Sequence, residues 1–297
     1  MNKICFREEA RDWNEALPIG NGFLGAMVFG KTGTERIQVN EDSVWTGGFM
    51  ERVNPDAREN YPKVRELLLD GEIGQAELLA ERSMYATYPH MRHYQTLGDI
   101  WIDFYKQRGK TVFKKEQSGL LNVQHESVEV QKYSRELDIS NAVGKIQYES
   151  EKGKYEREFF ASNPDQVIVY KMKSEEGELL NFDLSVTRKD NRSGRGSSFC
   201  DGTEVLDGNK IRLYGAQGGG HGIAFELLVQ VITNSGNVLR MGSHLLVEDA
   251  KEVTLFITAR TSFRSENSLQ WCLDVLNHVE NESYESLKER HVKDYLS

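Results

Sequence analysis

The sequence predicts a mainly β protein, with antiparallel sheets packed as a sandwich, a helical insertion near residues 54–84 and a helical tail. Three observations carry this reading. Apolar and polar side chains alternate with period two in many short segments, and Leu180, Phe182, Leu184 and Val186 set against Asn181, Asp183, Ser185 and Thr187 form the cleanest case. No helical pattern separates these segments, so their strands are expected to pair antiparallel and not through βαβ crossovers. Helical spacing is confined to residues 54–84 and to the stretch from about Ser268 onward.

In chain order, the first element is a hairpin. Gly20-Asn21-Gly22-Phe23-Leu24-Gly25 fits G-x-G-x-x-G, and Glu41 follows at the acidic spacing of a dinucleotide-binding turn. Such a turn requires a strand before the glycines and a helix after them, because the helix N-terminus holds the pyrophosphate. Here Leu17-Pro18-Ile19 enters, and Pro18 cannot donate within a central strand. A strand ending at Gly30 leaves, Lys31-Thr32-Gly33-Thr34 turns, and Glu35-Arg36-Ile37-Gln38-Val39 alternates. The dinucleotide reading fails on this context.

Asn54 as N-cap and Pro55 at the first helical position then open a helix with Val64, Leu67 and Leu68 on one face and Gly71 as its stop. A second helix carries Ile73, Ala76, Leu79 and Ala80. Further strands follow from Ile100, Ile102 and Phe104; Tyr133, Leu137 and Ile139; Ile223, Phe225, Leu227, Val229 and Val231; and Val253, Leu255 and Ile257. Residues 106–131 are polar and weakly patterned, and are expected to form a long loop or an extra hairpin. In the tail, Leu269, Cys272, Leu273, Val275, Leu276 and Val279 follow helical spacing, Asn281-Glu282-Ser283 interrupts, and Tyr284, Leu287, His291 and Tyr295 start another helix. That helix meets no stop signal and is expected to continue.

At 297 residues, 38% hydrophobic and 28% charged, the chain suits a soluble globular protein of one large or two ordinary domains. A net charge of −9 disfavours nucleic acid and anionic membrane surfaces as partners. The most basic stretch, with Arg188, Lys189, Arg192 and Arg195 beside Ser and Gly, reads as a solvated loop. The N-terminus has charges where a secretory signal needs an apolar core, and no apolar run approaches the roughly 18 residues of a membrane span. Cys5, Cys200 and Cys272 are odd in number and far apart. A cytoplasmic location is expected.

The strongest site candidate is Asn40-Glu41-Asp42 with Trp45, since polar groups beside an indole can bond sugar hydroxyls while the ring covers apolar C–H surface. The alternative is a structural corner with the Asn and Asp side chains bonding local backbone. In an extended loop Glu41 and Asp42 point to opposite sides, so they do not read as an acid/base pair. Tyr94 and Gln95 are candidates for the same cleft. His90 and His93 lie near them, but without a third ligand a packed loop is favoured over a metal site. The glycine-rich run 215–222 lacks the Lys-Ser/Thr ending of a phosphate loop and reads as a strand connection. No nucleophile elbow is present, and Trp13, Trp101 and Trp271 read as core or interface anchors. No cofactor is expected.

Several segments carry a family resemblance. Glu15-Ala16-Leu17-Pro18-Ile19-Gly20-Asn21-Gly22, Leu24-Gly25-Ala26-Met27-Val28-Phe29-Gly30, Asn40-Glu41-Asp42 with Trp45, and Gly47-Gly48 closely resemble the N-terminal domain of glycoside hydrolase family 95. Tyr94-Gln95-Thr96-Leu97-Gly98-Asp99, Tyr133-Ser134-Arg135-Glu136-Leu137-Asp138, Ala161-Ser162-Asn163-Pro164-Asp165, Thr261-Ser262-Phe263-Arg264 and Arg290-His291-Val292-Lys293-Asp294-Tyr295 extend the likeness along nearly the whole chain. Thr46 and Thr96 depart from the family's usual Ser and Pro, which bears on loop shape. The resemblance implies an N-terminal β-super-sandwich over residues 1–265 and, from 266 to 297, the start of a helical linker to an absent (α/α)6 catalytic barrel. It further implies a bacterial inverting α-L-fucosidase as the parent, with fucosylated glycan as substrate and the barrel of the same protein as partner. The family's acid and base lie beyond this chain, so no catalytic residue is carried over and the chain alone is expected to be inactive. The alternatives are an independent carbohydrate-binding module or an interaction domain.

Overall fold

Period-two alternation becomes strand wherever one face meets the core. Leu180–Thr187 is buried at every second residue, as its sequence requires. The computed structural model describes residues 2–48, 50–87, 92–104, 112–115, 121–124, 130–188, 200–217 and 220–297. Among these, two large antiparallel sheets stack face to face. One has nine strands in the order β1 (Lys3–Phe6), β8 (Val130–Asp138), β9 (Val143–Ser150), β10 (Gly153–Ser162), β11 (Val167–Gly177), β18 (Glu252–Thr261), β15 (Ala224–Thr233), β14 (Lys210–Ala216) and β13 (Gly202–Leu206). The other has seven, in the order β16 (Asn237–Met241), β17 (His244–Ala250), β12 (Leu180–Thr187), β5 (Gly98–Phe104), β4 (Thr34–Glu41), β3 (Leu24–Val28) and β2 (Leu17–Gly20). Ile37, Ile100 and Leu184 of the smaller sheet meet Phe159, Leu227 and Leu255 of the larger in one apolar core.

The G-x-G-x-x-G segment is the turn of hairpin β2–β3. Asn21 Oδ1 accepts from the Phe23 and Leu24 amides, and Gly22 takes φ +93°. Pro18 sits on the sheet-edge strand, where its missing donor costs no ladder bond. Within residues 106–131, β6 (Val112–Lys115) pairs antiparallel with β7 (Leu121–Gln124), as in the expected extra hairpin; 106–111, 116–120 and 125–129 lie outside the described residues.

The centre of the larger sheet is buried on both faces, because helices α3 (Ser268–Glu280) and α4 (Tyr284–Tyr295) cover the outside of β10, β18 and β15. Phe160, Val169, Leu228 and Phe256 meet Cys272, Leu276, Val279 and Leu287 in a second core. Asn267 and Ser283 cap the two helices through their side chains. Arg290 reaches Asp165, and Lys288 and Tyr284 both donate to Glu158, fastening α4 to the sheet. Burial opposes ionisation of Glu158, yet these donors hold its carboxyl below the usual range.

Helices α1 (Ala57–Leu69) and α2 (Ile73–Ser83) form a hairpin that packs on itself. The helix starts later than the Asn54-Pro55 pair suggests. Asn54 instead accepts from the Asp56 amide and donates to the carbonyls of Arg82 and Tyr85, which closes the base of the hairpin. Gly71 ends α1 at φ +78°, but Leu68 and Ile73 are exposed and only Val64 and Ala76 of the expected faces are fully buried. Among the described residues no helix is long and apolar enough to cross a membrane.

Two polar residues sit where alternation promises a solvent face or an apolar core. Arg188, expected in a solvated loop, is buried over the Phe225 ring at 4.3 Å, because β12 carries it back under the end of the sandwich; Lys189, Arg192 and Arg195 lie outside the described residues. Glu35 shares the inward face of β4 with Ile37 and Val39 and is fully buried. Its Oε1 accepts from the amides of Gly30 and Arg36, and its Oε2 from Arg157 Nη1 at 2.9 Å and the Tyr170 hydroxyl at 2.9 Å. Arg157 also donates to Tyr148 and to the Lys31 carbonyl, and lies over the Phe104 ring. Glu35→Ala strands a buried guanidinium and should destabilise the fold by about 3–5 kcal/mol in urea unfolding. A loss below about 1 kcal/mol would show that the pair does not bind the sheets.

Candidate functional site

The site candidate lies at one pole of the sandwich, where β4 ends and β5, β15 and β18 begin or end. Glu41, the last residue of β4, keeps the inward parity of Ile37 and Val39 and is 1% exposed. Asp42 turns outward, with its side chain 45% exposed. Adjacent carboxylates thus occupy different environments. Glu41 Oε2 accepts from the Ser43 amide at 2.8 Å and its hydroxyl at 2.6 Å, and Ser43 Oγ is 2.5 Å from Thr261 Oγ1. Arg264 donates to Asp42 Oδ2 at 2.5 Å, and its Nε lies 3.5 Å from Glu41 Oε1. Burial, with the Asp42 charge adding to it, raises the Glu41 carboxyl above the usual carboxylate range; Ser43 and Arg264 oppose this.

Trp45 forms an antiparallel bridge with Tyr94, and their rings meet edge to face at 5.7 Å. The indole N–H donates to the Asp42 carbonyl, and the Tyr94 hydroxyl donates to the Glu41 carbonyl at 3.0 Å. Burial lifts the Tyr94 phenol to about 12, with Glu41 and Asp42 adding to the shift. Both rings remain partly open to solvent, at 39% and 44%. Phe263 is also exposed at this pole, and Arg264 stacks over Phe23 at 4.6 Å. Gly48 bridges to Gly222 so closely that a Cβ would sit 2.2 Å from the His221 carbonyl oxygen, which brings His221 and Gly222 to the same pole.

Of the residues singled out in the sequence, Glu41, Asp42, Trp45 and Tyr94 come together directly, and Asn40 lies beside them on β4. Gln95 is drawn elsewhere: its Oε1 accepts from Arg188 and lies 2.9 Å from the Gln217 amide. Burial lowers the Arg188 guanidinium to about 10. His93 donates its amide to Thr46 Oγ1, and His90 lies outside the described residues. Among the described residues no group of three or more His, Cys, Asp or Glu could hold a metal ion. Trp101 bonds Thr187 beneath Arg36, Trp271 lies under Arg260, and Trp13 is 38% exposed. Ser43, Thr261 and Arg264 complete the cluster and were not candidates in the sequence. Thr261 and Arg264 stand far from Asp42 in the chain, and the one available signal was their place in a resembling segment.

The model of the glycosyl hydrolase family 65 N-terminal domain matches residues 4–266. The chain belongs to this family. It is thus a glycosyl hydrolase N-terminal domain, and the family model that matches is that of family 65, not the family 95 of the residue resemblance. "Alpha-L-fucosidase 2" of Arabidopsis thaliana is 29% identical over 99% of this chain and 35% of its own length. "Probable alpha-fucosidase A" of Aspergillus niger is 28% identical over 94% of this chain and 34% of its own length. This family member therefore spans about a third of the length of the curated relatives it matches. A solved structure titled "Putative kojibiose phosphorylase from human microbiome" shares the fold, with a TM-score of 0.53 at 10% identity over 99% of this chain and 37% of that one.

The raised Glu41 carboxyl has a measurable consequence. Between its ordinary value of 4.5 and the raised folded value, the folded state binds the proton more tightly, so Glu41's contribution to stability falls as pH rises through that window. Glu41→Gln should flatten the pH profile of the urea midpoint in the range immediately above 4.5. An unchanged profile would assign the slope to another group.

Proposed function

We propose that this chain is the non-catalytic N-terminal domain of an α-L-fucosidase-like glycoside hydrolase of the family 95 type. Residues 1–265 form its β-super-sandwich and residues 266–297 begin the helical linker to an (α/α)6 barrel. The domain braces the barrel, and its pole with Asn40, Glu41, Asp42, Trp45, Tyr94 and Gln95 walls one side of the sugar pocket, Gln95 from behind through Arg188. The observation that carries this reading is the match to a protein named an α-L-fucosidase over 99% of this chain but 35% of that protein. The site chemistry supports a non-catalytic role. Inverting glycosidases set two carboxyl groups about 6.5–9.5 Å apart across the sugar, whereas Glu41 is sealed inside and its neighbour Asp42 is held by Arg264. A cytoplasmic location belongs to the same reading.

The exposed Trp45 and Tyr94 rings also suit a free-standing carbohydrate-binding module, and one set of measurements separates the two readings. The chain alone should give no turnover of an aryl α-L-fucoside and no calorimetric signal with fucosylated oligosaccharides. In the enzyme with its barrel, Trp45→Ala should raise KM about tenfold or more with kcat less affected, the mark of lost binding. Sugar affinity of the isolated chain would favour the module, and unchanged kinetics in a folded Trp45→Ala enzyme would remove the loop from the pocket.

A further inference from the structure

The helical insertion presents an apolar surface that the rest of the chain does not use. Tyr61, Leu68, Leu69, Ile73 and Leu78 on α1 and α2 are 57%, 53%, 77%, 65% and 48% exposed. Leu68, Leu69 and Ile73 flank the tip, where Asp70, Gly71 and Glu72 turn the chain. Along α1, Tyr61, Pro62, Arg65 and Leu69 line a shallow open depression. The two helices pack on each other and on no strand to a comparable extent.

This hairpin is poorly equipped to stand alone. Helices of 13 and 11 residues are marginal in water unless an apolar face is buried. Val64 and Ala76 are the buried apolar residues between them. Pro62 lies inside α1 and removes one of its backbone bonds. Neither α1 nor α2 has a side-chain N-cap. Its base at Asn54 stands on the pole that carries Trp45, since residues 46–48 and 92–95 lead into and out of it. The tip bears Glu66, Asp70, Glu72 and Glu77 against Arg65, a charge balance that disfavours an anionic lipid surface.

Resting on the reading of the chain as one domain of a longer glycoside hydrolase, we propose that the α1–α2 hairpin is a docking arm for the catalytic domain of the same polypeptide. About two thirds of each curated relative lies outside the region matched here, and that region includes the hairpin. An apolar tip ringed by Glu66, Asp70, Glu72 and Glu77 calls for a receiving surface that is apolar with basic side chains at its rim. Docking covers Leu68, Leu69 and Ile73 and sets the pole of Trp45 against the catalytic domain.

Hydrogen exchange tests this directly, with the 297-residue chain compared at one concentration with the polypeptide read through past Ser297 from the same gene. Amides of α1 and α2 should exchange at least about tenfold more slowly in the longer polypeptide. Leu69→Asp, at a position exposed in the chain by itself, should return them to the rate of the short chain while the sheet amides stay protected. Equal exchange in both polypeptides would overturn the proposal and leave the domain reading standing. A reading frame that stops at Ser297 would end both. Protection already present in the short chain, concentration-dependent and abolished by Leu69→Asp, would make a second copy the occupant; protection on adding phosphatidylserine vesicles would make it a bilayer.

Discussion

The Glu35–Arg157 pair sits where the two sheets face each other and fixes more than their separation. Glu35 belongs to β4 of the smaller sheet, while Arg157, Tyr148 and Tyr170 belong to β10, β9 and β11 of the larger. One carboxylate collects backbone donors from the β3–β4 turn and from β4 itself, and side-chain donors from the opposite sheet. A buried charge is tolerated only when its partners are all in place, so this geometry allows one register for β4. A slip of one residue would put Glu35 in solvent and leave Arg157 buried without its partner. The same register decides the polar end of the strand. Glu35, Ile37, Val39 and Glu41 share a face, so the residue that enters the pole as a buried acid is Glu41 and the one left outside is Asp42. The ion pair in the middle of the sandwich thus sets the handedness of the candidate site.

The pole is held together from distant parts of the chain. Ser43 meets Thr261 at the end of β18, and Arg264, three residues before the cap of α3, clamps Asp42. The loop after β4 and the helical layer on the larger sheet therefore share one short connector. Displacement of α3 would be felt at Asp42 and Trp45 through Arg264. The Arg188 cluster holds Gln95 and Thr96, and with them the segment that carries Tyr94. The aromatic pair is consequently braced from both sheets.

How much of this the sequence revealed depends on what each residue contacts. Strand β12 was legible because one face is wet and the other dry. The first half of β11 was not, because the helical layer of α3 and α4 on one side and the sandwich core on the other bury both faces and erase the alternation. The two tail helices were legible from spacing, while their docking on the sheet was not, since nothing local distinguishes a helix leaving the domain from one covering it. Glu35, Arg135 and Arg157 at inward positions read as breaks in a pattern, and their meaning lies in partners more than a hundred residues away. The group of Glu41, Asp42 and Trp45 was legible because it is local. Arg264 was not, because the fold alone brings it to Asp42.

What the pole can offer follows from which of its polar atoms are already engaged. The Trp45 indole and the Tyr94 hydroxyl both spend their donors on backbone carbonyls of the same loop. Arg264 Nη2 donates to Asp42, and Ser43 holds Glu41 Oε2. The surface left open is aromatic face and edge, with one carboxylate half engaged by a guanidinium. Such a surface covers apolar C–H area and accepts a hydrogen bond at its margin through Asp42. Rigid aromatic rings locked by their own loop also lose little conformational freedom when something packs on them. The pole is therefore preorganised for contact, because its rings are held in place before anything packs on them.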